Sequence, residues 1–143
     1  EIETLHRFFA HWFNGACLEG AFETEFLGVF DPGFTMVVPS GSLLTFDRLC
    51  SGLMTGYAQS HGFQISIQEV SLIAVDERFV VARYQELQQS SRHADAARSA
   101  RWSTTVFARD AACRCGLRWC FVQETHLPLG QLPVDAFDFA ECS

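Results

Sequence analysis

Midway along the chain the spacing of apolar residues changes from three-and-four to alternation, and the strand-like runs that follow are joined by very short connections. Phe63–Ala74, Phe79–Gln89, Arg98–Arg109 and Gly116–His126 read as strands of period two. The segments 75–78 and 110–115 are too short to hold a crossover helix, so these strands are expected to run antiparallel. A doubly wound α/β fold is thereby excluded, and helices followed by a sheet define an α+β arrangement.

The first half supplies the helices. Apolar residues at 2, 5, 8, 9, 12 and 13 predict a helix over Ile2–Phe13, stopped by Asn14-Gly15. A second, short helix is expected over Glu19–Phe30, presenting Phe22, Phe26, Leu27 and Phe30, with Asp31-Pro32-Gly33 as the turn that ends it. Phe34–Val38 reads as a strand closed by Pro39-Ser40-Gly41. Thr45 is the expected N-cap of a third helix with Phe46, Leu49, Leu53, Met54 and Tyr57 as its buried stripe and Gly62 as its stop. Gly52 and Gly56 in that helix point either to close packing of the helix on the sheet or to room for a ligand beside it.

At 143 residues the chain fits one domain, 1–143, without a boundary or an internal repeat. Fourteen Phe and 48% hydrophobic residues make large rings the main content of its core. The formal charge is −7 and there is no basic run with interleaved aromatics, which speaks against a nucleic-acid partner. All ten basic residues are Arg, so lysine Schiff-base and phosphate-loop chemistry are excluded. No stretch is apolar for eighteen residues, so no membrane partner is expected and a cytoplasmic protein is the reading. The six cysteines are read as mostly reduced, and the spacing of Cys113-Arg114-Cys115 does not suit a zinc knuckle. The histidines stand singly, with His6 and His11 assigned to the surface of the first helix, His61 to a helix stop and His93 to a loop. No metal and no cofactor is expected.

Several segments in order carry a family likeness: Trp12-Phe13-Asn14-Gly15, then Phe34 to Gly41 before a helix, then Thr104-Thr105-Val106-Phe107 with Arg109-Asp110, then Gly116-Leu117-Arg118-Trp119 leading to Val122 and His126. Spread over most of residues 5–126, they resemble the nuclear transport factor 2-like superfamily, which includes ketosteroid isomerase and the SnoaL polyketide cyclases. The resemblance implies a cone-shaped fold in which N-terminal helices pack on a strongly curved, mostly antiparallel sheet. It also implies a small, fairly apolar ligand beneath the helices and a homodimer formed through the other side of the sheet.

Alternation divides each strand into two faces. The face with the larger rings, Leu117, Trp119, Phe121, Gln123 and Thr125, is taken as the helix-covered one. Its counterparts give a ligand-binding set of Arg83, Gln85, Trp102, Thr104, Trp119 and Gln123, joined by Tyr57 from the third helix. Arg83 would meet either an anionic ligand or a helix carboxylate such as Glu23 or Glu25, Gln85 and Gln123 could bond each other, and the two Trp could be core or platform. A one-residue slip at a bulge would exchange the faces and bring in Glu86, Glu124 and His126 instead. Three functions stay open: a small-molecule binder, a cofactor-independent isomerase, cyclase or hydratase, and a structural dimerisation module. No serine-triad order or nucleophile elbow appears, the pocket-facing set lacks the Asp base of the steroid-isomerase scheme, and Asp31 reads as a turn residue.

Overall fold

The computed structural model describes residues 1–92 and 95–139; His93 and Cys142 lie outside the described residues. Helical spacing at the start becomes α1, Ile2–Phe13, which buries Ile2, Leu5, His6, Phe8 and Trp12. Its end is a Schellman closure, in which Ala16 N–H donates to the His11 carbonyl and Gly15 N–H to that of Trp12. Gly15 takes a φ of +71°, which a side chain would resist. Asn14 adds a clamp: its Nδ2 donates to the Ala10 and Phe63 carbonyls and its Oδ1 accepts from Gly62 N–H.

The second helix is shorter than its spacing suggests. One π turn, Phe22–Phe26, runs into a 3₁₀ turn, Leu27–Val29. Strand β1 begins directly at Phe30 and extends to Val37, so Asp31-Pro32-Gly33 lies within it as an Asx turn, with Gly33 N–H donating to Asp31 Oδ1. A three-residue strand, β2, Leu43–Thr45, was not anticipated. Thr45 caps α2, Phe46–Gly56, as expected. The helix ends at Gly56 instead of Gly62, and of its stripe Met54 and Tyr57 face outward, 58% and 39% exposed. Gly56 is closely packed, but against a helix in place of the sheet, since a Cβ there would lie 2.8 Å from the ring of Phe13 in α1, whereas Gly52 faces open space.

The four long strands are β3, Gln64–Val75, β4, Phe79–Gln89, β5, Arg98–Arg109, and β6, Leu117–His126. They form the antiparallel meander that their connections require, and β1 joins β6 in parallel. The order across the six-stranded sheet is β2-β1-β6-β5-β4-β3. A mixed α+β fold is therefore present, but the expected cone-shaped, strongly curved sheet is corrected: the sheet is open, neither closed nor strongly curled. Among the described residues strand β2 pairs only with β1 and β3 only with β4, so no strand pairing there draws the two edges together.

Two irregularities set the side-chain directions. In β3 the register shifts between Gln68 and Ser71, where Glu69 takes a φ of +52°, and again between Leu72 and Ala74. In β6 the register moves from Val106 opposite Phe121 to Phe107 opposite Trp119, which leaves Cys120 as an extra residue. Trp119 and Val122 consequently face the same side, which the helices cover. The core there joins Leu5, Phe8 and Trp12 of α1 and Leu53 of α2 to Phe26, Phe30, Phe34, Tyr84, Phe107, Trp119 and Val122. Five cysteines, Cys17, Cys50, Cys113, Cys115 and Cys120, are free thiols. Among the described residues no helix is long and apolar enough to cross a membrane.

Candidate functional site

The bulge at Cys120 exchanges the faces of the final strand, so the inward set is the one that the alternation argument had placed outside. Alternate residues Val80, Ala82, Tyr84 and Glu86 of β4 are buried, as are Ser103, Thr105 and Phe107 of β5 and Val122 and Glu124 of β6. The expected inward orientation of Arg83 and Gln123 is corrected, since both are exposed. Arg83 lies with its guanidinium 5.0 Å from the Trp102 ring, a surface cation–π contact in place of an inward charge or a bond to Glu23 or Glu25. Gln85, Trp102 and Thr104 are half-buried on that same outer side. Trp119 alone of the six strand residues points under the helices, and its indole Nε1 donates to Glu1 Oε1, beside the bidentate pair of Glu1 with Arg114.

Tyr57 sits elsewhere, with its ring 4.6 Å from Trp12. It borders a hollow of about 380 Å³ together with Cys17, Glu19, Glu23 and Met54. A second cavity, of about 240 Å³, has the more informative lining. One wall is apolar, with Phe9, Phe13, Phe30, Phe34, Met36 and Leu49, and the other carries His6, Tyr84, Glu86, Gln88, Arg101 and Glu124. We take the smaller one as the candidate site, because buried ionisable groups converge on it and none of the buried ionisable groups among the described residues borders the larger.

The polar wall is a connected network. His6 Nδ1 lies 2.7 Å from the Ile2 carbonyl, which can only accept, so that nitrogen carries a proton. Its Nε2 meets Glu86 Oε2 at 3.0 Å, and the other Glu86 oxygen accepts from Gln88 Nε2. Arg101 donates through one terminal nitrogen to Glu124 Oε2 at 3.1 Å and through the other to Gln88 Oε1 at 3.0 Å. Its Nε, 3.8 Å from Glu86 Oε1, is buried without a hydrogen-bond partner. His6, Glu86 and Glu124 are each less than a tenth exposed. Charges at that depth persist only when paired and hydrogen-bonded.

Environment separates the two carboxylates. Burial pushes the Glu86 carboxyl up, but the charge and hydrogen bond of His6, then Arg101 and Gln88, outweigh it and hold it below the ordinary glutamate range. Burial and the charge of Glu86 push Glu124 up, and Arg101 and His6 only partly offset them. Tyr84 stays protonated to high pH through burial, Glu86 and Glu124. One carboxylate held ionised beside another that retains a proton more readily is an arrangement suited to acid–base work.

Sequence reasoning missed His6 altogether. The signal was present, because position 6 follows Ile2 by four residues and so shares its buried face, but a titratable side chain there was assigned to solvent. Glu86 and Glu124 were found only as members of the alternative face, and His126, the third member, is exposed. No group of three or more His, Cys, Asp or Glu residues among the described residues is placed to hold a metal ion.

No family model and no curated protein matches the sequence. Among solved structures the chain is similar to an NTF-2 like protein of unknown function from Pseudomonas aeruginosa, with 28% identity and a TM-score of 0.78 over 89% of this chain and 95% of that one. It is also similar to the association domain of C. elegans CaMKII, with 15% identity and a TM-score of 0.65 over 87% and 88% of the two chains. An NTF2-like protein of unknown function in nutrient uptake from Rhodospirillum rubrum shows 14% identity and a TM-score of 0.61 over 90% and 99%. The fold is that of the NTF2-like and CaMKII-association-domain superfamily.

Proposed function

We propose that this chain, acting as one NTF2-like domain, is a small-molecule-binding protein whose ligand occupies the 240 Å³ cavity between the helices and the sheet. The observation that carries this reading is the charged wall of His6, Glu86, Arg101 and Glu124 facing a space walled otherwise by rings and aliphatic groups. A packed core has no need of such groups, and an apolar filling of the same volume would be no less stable. A cavity of about 150 Å³ already holds a benzene ring, so there is room here for one ring with a short polar arm. The five free thiols support a reducing, cytoplasmic setting. NMR titration with single-ring probes is expected to give saturable shifts at His6 and Trp119, and Met36→Trp, which fills the space, is expected to abolish them. Probes that leave both residues unmoved at millimolar concentration rule the reading out.

A second reading places the chain in the SnoaL-like and ketosteroid-isomerase-like branch as a cofactor-independent isomerase, cyclase or hydratase. It is favoured by the opposed shifts of Glu86 and Glu124, with Tyr84 as a neutral donor in the same cavity. A turnover rate governed by a single raised carboxyl, and lost in Glu124→Gln, would distinguish it from simple binding.

Homodimerisation through the outer face of the sheet accompanies either reading. The outward positions from Val81 to Gln85, Trp102 to Val106 and Phe121 to Thr125 carry Arg83 as their one charge, in a chain with seventeen acidic residues. A broad, weakly charged face of rings and β-branched side chains suits a self-complementary contact. Val106→Glu is expected to weaken the dimer at least tenfold, read by sedimentation equilibrium. A wild-type protein that is monomeric at tens of micromolar removes the proposal.

A further inference from the structure

Among the hydrogen-bonding nitrogens of His6, Arg101 and Gln88 only Arg101 Nε lacks a partner, and it is buried 3.8 Å from Glu86 Oε1 with no surface open to the cavity, while one acceptor is left over. His6 uses both ring nitrogens, on the Ile2 carbonyl and Glu86. Arg101 is held between Glu124 and Gln88, and Gln88 in turn donates to Glu86. Glu124 is bonded through Oε2, and its Oε1 accepts no hydrogen bond from a described residue. The same cavity is lined by the rings of Phe9, Phe13, Phe30, Phe34 and Tyr84, whose π-systems attract positive charge.

An anionic head group would fare worse. The terminal nitrogens of Arg101 are held by Glu124 and Gln88, and its unpartnered Nε is buried against Glu86, so an anion would have to displace the guanidinium and would then sit beside two carboxylates close enough for the charge of Glu86 to be felt at Glu124. A net charge of −7 also raises the local concentration of cations over anions.

We propose that the cavity is a site for small protonated amines, with the ammonium bonded to Glu124 Oε1 and an aromatic or branched aliphatic body lodged among Phe9, Phe13, Phe30 and Phe34. This rests on the pocket being a binding site. The groups facing Glu124 are His6 from α1, Tyr84 and Glu86 from β4 and Arg101 from β5, while α2 and β1 contribute apolar lining. An ammonium beside Glu124 favours its ionised form, so at pH values where burial and Glu86 keep the carboxyl protonated binding releases that proton. Affinity therefore rises with pH through the titration of Glu124 and falls again only when the amine itself deprotonates.

Isothermal titration with 2-phenylethylamine, 2-phenylethanol and phenylacetate, in two buffers of different ionisation enthalpy, tests this. The amine is expected to bind at least about tenfold more tightly than the alcohol, with proton release that grows as the pH is lowered into the Glu124 titration, and the acid not at all. Glu124→Gln should bring the amine down to the level that the alcohol shows with the wild-type protein, with urea unfolding used to show that the variant is folded. If that variant does not fold, the wild-type ratio and the proton release decide. An alcohol or acid that binds as well as the amine overturns the amine assignment and leaves the pocket intact. Failure of all three, and of ethylbenzene, overturns the pocket reading itself.

Discussion

Glu86→Ala is expected to lower the unfolding free energy by about 3–5 kcal/mol, the range for removing one partner of a buried ion pair. The change removes the carboxylate that meets His6 Nε2 and lies nearest Arg101 Nε, and leaves Gln88 without its acceptor. Urea unfolding at pH 7 measures the loss, and a double-mutant cycle with His6→Ala should show strong coupling. A loss below about 1 kcal/mol would mean that the network is solvated. The sign of the pH dependence follows from the direction of the shift. The folded pKa of Glu86 lies below its unfolded value, so its stabilisation is present above about pH 4.3 and is lost as pH falls through the depressed value. Glu124 has the opposite sign, because its raised pKa makes ionisation cost stability as pH rises through the same region and above it. Glu124→Gln should accordingly cost far less than Glu86→Ala at neutral pH.

Phe26→Ala is expected to cost about 3–5 kcal/mol, from lost transfer free energy plus the cavity left behind. Phe26 is fully buried at the end of the π turn. Its ring centre lies 4.6 Å from that of Phe30, 5.1 Å from Phe22 and 5.9 Å from Phe8 and Phe46. Those rings belong to α1, β1 and α2 as well as to the turn itself, so collapse around an Ala would have to move three elements at once. Thermal and urea unfolding check the value. A cost near 1 kcal/mol would show that the turn can repack over the gap. Since Phe30 also lines the cavity proposed to bind a ligand, the variant should weaken probe binding along with stability.

The contrast between these two residues shows how far the sequence could be read. Phe26 was assigned to the core from helical spacing, and the core is where it lies, although the segment is a π turn and a 3₁₀ turn in place of a regular helix. Glu86 was assigned to the outer side, because strand faces are told apart only by parity and by the size of the rings they carry. Trp119 drew that choice the wrong way. It faces inward, as its bulk suggests, but the extra residue at Cys120 means that Phe121, Gln123 and Thr125 do not follow it. Arg83, Gln85 and Thr104 inherited the error through the pairing of β4, β5 and β6.

Local signals determined much of the rest. The Asn14-Gly15 stop, the Thr45 cap and the antiparallel meander depend on backbone sterics, hydrogen bonds to near neighbours and connection length, all of which are written in consecutive residues. Which face of the sheet lies under the helices, that His6 meets Glu86 across eighty positions, and that the sheet stays open were decided only by tertiary structure. Side-chain direction along a strand has a period of two, so a single bulge reverses every residue beyond it, and the energy that places the bulge comes from packing against elements far away in the chain.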